Sequence, residues 1–148
     1  MSSKDIVQKL RETTGAGVME CNRAFKDAGG DFGKAVALIG ERGLSKVEKR
    51  AGRETGAGLV HAYVHNERIG VLMNISAETD FVVRSDPFRA LAHELAMQLA
   101  AVGAKDVAEL LAQPYIRDEK KTVKDIIGEA IAKVGENIQV KEFYRIEL

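Results

Sequence analysis

At Leu59 the spacing of the apolar residues changes, and the change divides the chain into two kinds of structure. Before it, apolar side chains recur every three or four residues, the period of one helix face. After it, Val60, Ala62 and Val64 alternate with His61, Tyr63 and His65, the period of a strand with one buried face. Ile69, Val71, Met73 and Ile75 alternate through a second strand beyond the turn Asn66-Glu67-Arg68, so the two strands form an antiparallel hairpin. On this reading the valines face the core and the histidines face solvent. His61 and His65, four residues apart on a strand, stand roughly 13 Å from each other, too far to share an ion. His93 falls on a helix far away along the chain, so no metal site is expected.

The part before the switch reads as three short helices. Ser2 and Asp5 form a capping box ahead of Ile6, Val7 and Leu10. Thr13 to Gly17 interrupt the pattern, and Val18, Cys21, Ala24, Phe25 and Ala28 resume it until Gly29-Gly30. Asp31 then caps a helix carrying Phe32, Ala35, Val36, Leu38 and Ile39, with Gly40 and Gly43 near its end. Lys46 to Arg53 follow as a basic linker. Three helices of this length bury only a small core, which suits a compact lobe rather than a catalytic domain.

Beyond the hairpin, Asp86-Pro87 starts a helix with Phe88, Leu91, Leu95 and Leu99 on one face, and Ala92, Ala96 and Ala100 keep it narrow for packing on the sheet. A short helix over Ala104 to Leu111 stops before Pro114. Thr122 and Asp125 make a second capping box, and the helix they open ends at Gly135. A last strand places Ile138, Val140, Tyr144 and Ile146 on one face, with Glu142 breaking the pattern at an edge or bulge. The fold class is therefore α+β: an N-terminal three-helix bundle, then a small, mainly antiparallel sheet covered by helices. The division expected is a lobe with linker over 1–54 and an α+β core over 55–148.

Composition narrows the function classes. Lysine plus arginine and aspartate plus glutamate balance at 22 each, which removes the simplest argument for a nucleic-acid partner. Cys21 is the single cysteine, so no intrachain disulfide forms and a reducing compartment fits. The start of the chain lacks the layout of a signal peptide, and no apolar run approaches the ~18 residues of a membrane span. A cytoplasmic protein without membrane partners is expected. The chain has no GxxxxGK[ST], HExxH or GxSxG pattern, so no catalytic residue and no cofactor is expected, and binding to another protein becomes the leading class. A competing reading takes Ile39-Gly40-Glu41-Arg42-Gly43 as a KH-like GXXG loop and, with the basic linker, makes the chain a small RNA-binding module. An enzyme using Cys21 or His61 is a third.

The corner Ser76 to Arg84, between the second strand and the long helix, sets a carboxylate and a phenyl ring side by side at Asp80 and Phe81. Residue types alone favour packing: Phe81 capping the sheet, Asp80 capping a helical turn. The wider sequence reverses this.

Leu10 to Cys21 (LRETTGAGVMEC), Glu78 to Val82 (ETDFV) and Ile131 to Ile138 (IAKVGENI) resemble, in the same order, the three signatures of bacterial elongation factor Ts. The resemblance covers essentially the whole chain. It implies a nucleotide-exchange factor for elongation factor Tu, the GTPase that carries aminoacyl-tRNA, and no covalent chemistry. It implies that the first lobe is like a ubiquitin-associated domain and docks on the GTPase through Arg11, Val18 and Met19. Thr79, Asp80, Phe81 and Val82 would enter the partner near its magnesium, with Phe81 as a wedge and Asp80 helping to displace the groups that hold the ion. Val134 and Gly135 would press near the phosphate-binding loop. Longer members of the family carry a second sheet module and a projecting helical hairpin between the regions matching Ala104 and Gln113, where about eight residues stand here. The compact form implies a homodimer. Ala77 and Val83 depart from the family's more usual cysteine and alanine.

Overall fold

The computed structural model describes residues 2–148. The backbone divides into two compact units, one ending at Lys49 and one running Arg50–Leu148.

The first unit is built from α1 (Ser3–Thr14), α2 (Val18–Asp27) and α3 (Phe32–Arg50). The Ser2 hydroxyl accepts from the Asp5 N–H, and the Asp5 carboxylate accepts from the Ser2 N–H, closing the capping box at the start of α1. Val7, Leu10, Cys21, Ala24, Ala35 and Ile39 form the buried core. The third helix does not stop at its glycines, as the sequence suggested; Gly40 and Gly43 lie inside α3. Each interior glycine costs about 1 kcal/mol relative to alanine. Ion pairs from Arg42 to Asp27 and from Lys46 to Glu20 tie the extension back to α2. Two expectations fall with this. The GXXG segment is helix rather than a backbone-clamping loop, so the RNA-binding reading loses its site. The basic linker is helical through Arg50, leaving only residues 51–56 as connector.

The second unit contains β1 (Ala57–His65), β2 (Ile69–Ala77), α4 (Asp80–Val83), α5 (Asp86–Val102), α6 (Val107–Ala112), β3 (Pro114–Tyr115), β4 (Asp118–Thr122), α7 (Val123–Val134) and β5 (Ile138–Glu147). The main sheet is antiparallel in the order β1-β2-β5, and β3-β4 form a separate hairpin. Helix α5 packs across β1 and β2 and against α7. Val71, Met73 and Ile75 are buried beneath it, with Phe88, Leu95 and Leu99 fully enclosed.

The register corrects two face assignments. His61 pairs with Met73 and Tyr63 with Val71. Residues directly opposite on neighbouring strands share a face, so burial of β2 draws His61 and Tyr63 toward α5. Val60, Ala62 and Val64 are turned out to solvent. The four apolar residues of β2 outweigh the alternation of β1. On β5, Asn74 pairs with Glu142 but Ile75 pairs with Val140, so Lys141 is the extra residue of a bulge. The bulge reverses the phase of the strand. Ile138 and Val140 are buried as expected, but Tyr144 and Ile146 emerge on the outer face. Arg145 turns inward instead, and its guanidinium donates to the carbonyls of Leu99 and Ala100 at the C-terminal end of α5.

The hairpin β3-β4 escaped the sequence reading because Asp118 to Thr122 (DEKKT) has only its last residue among those that favour strands. It is held by α5. Gln98, fully buried, donates to Gln113 and to the Pro114 carbonyl and accepts from the Ile116 N–H. The Tyr115 hydroxyl donates to Glu94 at 2.8 Å, and burial together with that bond pushes its pKa up to about 12.

Candidate functional site

The corner after β2 is a single helical turn, α4. Thr79 is its N-cap, and the Thr79 hydroxyl accepts from the Val82 N–H. Val82 and Val83 are buried, and the Ser85 hydroxyl donates back to the Val82 carbonyl at 2.6 Å. With that side of the turn fixed in the core, Asp80 and Phe81 face solvent. Phe81 does not cap the sheet: it is 86% exposed.

A second loop meets this corner. Helix α7 ends at Gly135, whose φ of 79° is a left-handed cap that residues with a Cβ rarely adopt. The following residues turn back toward α4. The Glu136 carboxylate accepts from the Thr79 N–H at 2.9 Å and from the Thr79 hydroxyl at 2.8 Å. In the opposite sense, the Glu78 carboxylate accepts from the Asn137 N–H at 2.8 Å. The Asn137 side chain, almost fully buried, donates to the carbonyls of Arg53 and Ala51 in the connector, and the Arg53 guanidinium lies 3.6 Å from Glu78. The structure thus brings Thr79, Asp80, Phe81 and Val82 to the loop that contains Gly135 and follows Val134. Glu78, Glu136 and Asn137 were not singled out from the sequence. The signal was there: each of the two stretches sets an acid beside a polar donor, at Glu78-Thr79 and at Glu136-Asn137.

Arg11, Val18 and Met19 belong to the first unit. They flank the connector between α1 and α2, Arg11 in the last turn of α1 and the other two in the first turn of α2. All three are exposed, Met19 to 71%. Met19 also borders a groove of about 580 Å³ between α2 and α3, which the paired residues Glu20, Asp27, Arg42 and Lys46 line.

The histidines are placed differently from expectation. His93 on α5 lies over β1, with ring centroids 5.6 Å from both His61 and Tyr63 in edge-to-face geometry. The Tyr63 hydroxyl and His65 Nδ1 are 2.9 Å apart. His61 is drawn into this packing, its Nε2 is buried without a partner, and burial, then the neighbouring His93, lowers its pKa. No group of three or more His, Cys, Asp or Glu side chains is arranged to hold a metal ion among the described residues. Cys21 lies in the core of the first unit, where burial pushes its thiol up, so it is not presented to a substrate. Among the described residues no helix is long and apolar enough to cross a membrane.

Residues 78–148 match the family model described as elongation factor TS. The chain is 39% identical to the elongation factor Ts of Coprothermobacter proteolyticus over 97% of its own length and 96% of that protein's. It is 40% identical to that of Thermotoga petrophila, covering 99% and 96% respectively. It is 35% identical to that of Thermodesulfovibrio yellowstonii, covering 97% and 94%. The first of these alignments runs over 189 positions, and 97% of 148 residues is about 144, so that relative carries roughly 45 positions with no counterpart here.

Proposed function

The chain belongs to the elongation factor Ts family, proteins of translation elongation, and on that premise we propose that it is the guanine-nucleotide exchange factor of elongation factor Tu. It binds the GDP form of that GTPase, disturbs the magnesium and phosphate site, and lets GDP leave so that GTP can enter. No covalent bond is made or broken. The observation that carries the reading is Phe81, a large apolar side chain in open solvent on a turn whose other side is locked into the core.

Magnesium bridges nucleotide phosphates to a GTPase, so moving the groups that hold the ion removes much of the nucleotide's affinity. Phe81 enters as a wedge, and Asp80 beside it brings a carboxylate that repels the acidic ligands of the ion. Thr79 and Val82 set the turn. Val134 and Gly135 press near the phosphate-binding loop, and Arg11, Val18 and Met19 dock the first lobe, residues 1–54, on the partner's GTPase domain. Weakening nucleotide ten-thousand-fold takes about 5.5 kcal/mol of coupling. Burying one phenyl ring contributes about 1.5–3 kcal/mol, so the remaining contacts carry the rest. Linkage requires nucleotide to weaken factor binding by the same factor, and GTP entry therefore releases the factor.

The outer face of the main sheet supports a homodimer. Leu72 pairs with Ala62 on one side and Tyr144 on the other, and in the next row Val64 and Ile146 flank Gly70. Tyr144 and Ile146 are 65% and 71% exposed, and this apolar patch rests in the core residues 55–148.

Release of fluorescent GDP from purified elongation factor Tu tests the proposal. Strong acceleration by this protein is the expected result. No acceleration by a folded protein refutes it.

A further inference from the structure

We infer that Glu136 is a positioning residue for exchange: it fixes the turn carrying Phe81 to the loop carrying Val134 and Gly135, so that both act on the partner as one body. The inference rests on the exchange reading above.

The need for such a device follows from the length of α4. Four residues make a single turn, which has no stability of its own. The Phe81 ring, 86% exposed, packs on little in this chain, so its direction is set mainly by the backbone. That backbone is held inward by Val82 and Val83, but its leading edge is Thr79, at an exposed position. Glu136 takes both donors of Thr79, the backbone N–H and the hydroxyl, one on each carboxylate oxygen. The same hydroxyl oxygen accepts from the Val82 N–H, so a continuous chain of bonds runs from Glu136 through Thr79 into α4. The Asn137 N–H, next in sequence, closes the reciprocal bond to Glu78. Two loops separated by 57 residues are thereby joined at two successive residues, Glu78 and Thr79, just ahead of the wedge.

A wedge transmits force only if it does not recoil. Binding energy spent on bending the corner is lost to the displacement of magnesium, because only differential binding to the nucleotide-free state drives release. A loosened corner still presents the same docking surfaces. Loss of Glu136 therefore lowers the maximal rate of GDP release and leaves the factor concentration at half-saturation nearly unchanged.

Glu136→Gln tests this, since the amide nitrogen cannot accept and one of the two Thr79 donors loses its partner. Using the full chain and GDP-loaded elongation factor Tu, the saturating release rate is expected to fall about ten-fold, with half-saturation moving less than about two-fold. Amide hydrogen exchange at Thr79 in the free factor should quicken. An unchanged saturating rate, or a rise in half-saturation at an unchanged maximum, overturns the inference. Should Glu136→Gln fail to fold, Thr79→Val, which removes the hydroxyl, is judged by the same criteria. Phe81→Ala separates the two levels: if it slows release and Glu136→Gln does not, the positioning role is wrong and the exchange reading stands. If Phe81→Ala releases GDP as fast as the parent, the wedge itself is wrong.

Discussion

Phe81 stands 86% exposed on the same helical turn that buries its neighbour Val82 to 5%. One peptide bond separates a side chain the fold does not use from one it depends on. Phe81→Ala should leave the thermal midpoint nearly where it was, since exposed positions change stability by no more than about 0.5 kcal/mol. GDP release from elongation factor Tu should slow by ten-fold or more, about the 1.5–3 kcal/mol of an unburied phenyl ring. Val82→Ala should do the opposite in a melting experiment and cost about 1–3 kcal/mol. A Phe81→Ala protein that melts well below the parent would mean that the ring packs in the fold.

The elements marked by end signals were legible in the sequence. Capping boxes at Ser2 and Thr122, the proline after Asp86 and Gly135 at the end of α7 mark boundaries that the structure reproduces. What sequence could not supply was the outcome of competition between elements. The two faces of β1 are both plausible interiors, valine or aromatic and histidine, and the choice falls to β2 through the pairing of His61 with Met73. Gly40 and Gly43 look like stops until Arg42 and Lys46 find their partners on α2. In the site, the outward corner was readable only through the family resemblance of Glu78 to Val82, since the residue types of Asp80 and Phe81 alone favoured packing. The bonds joining Glu136 to Thr79 were not, because they connect loops far apart in the chain.

Gln98 is the buried amide on which the β3-β4 hairpin hangs. Its substitution by alanine strands the Ile116 N–H and leaves the Pro114 carbonyl and the Gln113 side chain without their donor. Each lost hydrogen bond costs about 0.5–1.5 kcal/mol, and the cavity left by the buried side chain adds to that. Gln98→Ala should therefore lower stability by about 2–4 kcal/mol in urea unfolding. Proteolysis should cut first between Pro114 and Thr122. Unchanged unfolding would show that water takes over these bonds.

The apolar outer sheet face makes the proposed homodimer easy to break without touching the core. Leu72 sits in the middle strand of that face, between Ala62 and Tyr144. Leu72→Asp places a carboxylate at the centre of a self-complementary interface, where burial without a partner costs several kcal/mol. Sedimentation should give the parent at twice its 16.1 kDa chain mass and the variant at the chain mass, with the helical signal retained. A parent that sediments as a single chain at micromolar concentration removes the dimer.

His61 contributes to the pH dependence of the second unit. Burial beneath α5, and then the nearby His93, lower its pKa in the folded chain from the ordinary 6.5. The unfolded chain therefore binds a proton at a higher pH than the folded one, and stability rises with pH wherever the unfolded state holds more protons. The contribution is fully present above about pH 6.5 and is lost as pH falls through the folded pKa. His61→Leu keeps an apolar side chain at the inward position opposite Met73 and removes the titration. Thermal midpoints measured in steps from pH 7.5 down to about 5.5, above the range where carboxylates protonate, should fall for the parent and fall less for the variant. Equal slopes for the two proteins would show that the imidazole finds water for its buried Nε2 and titrates as freely folded as unfolded.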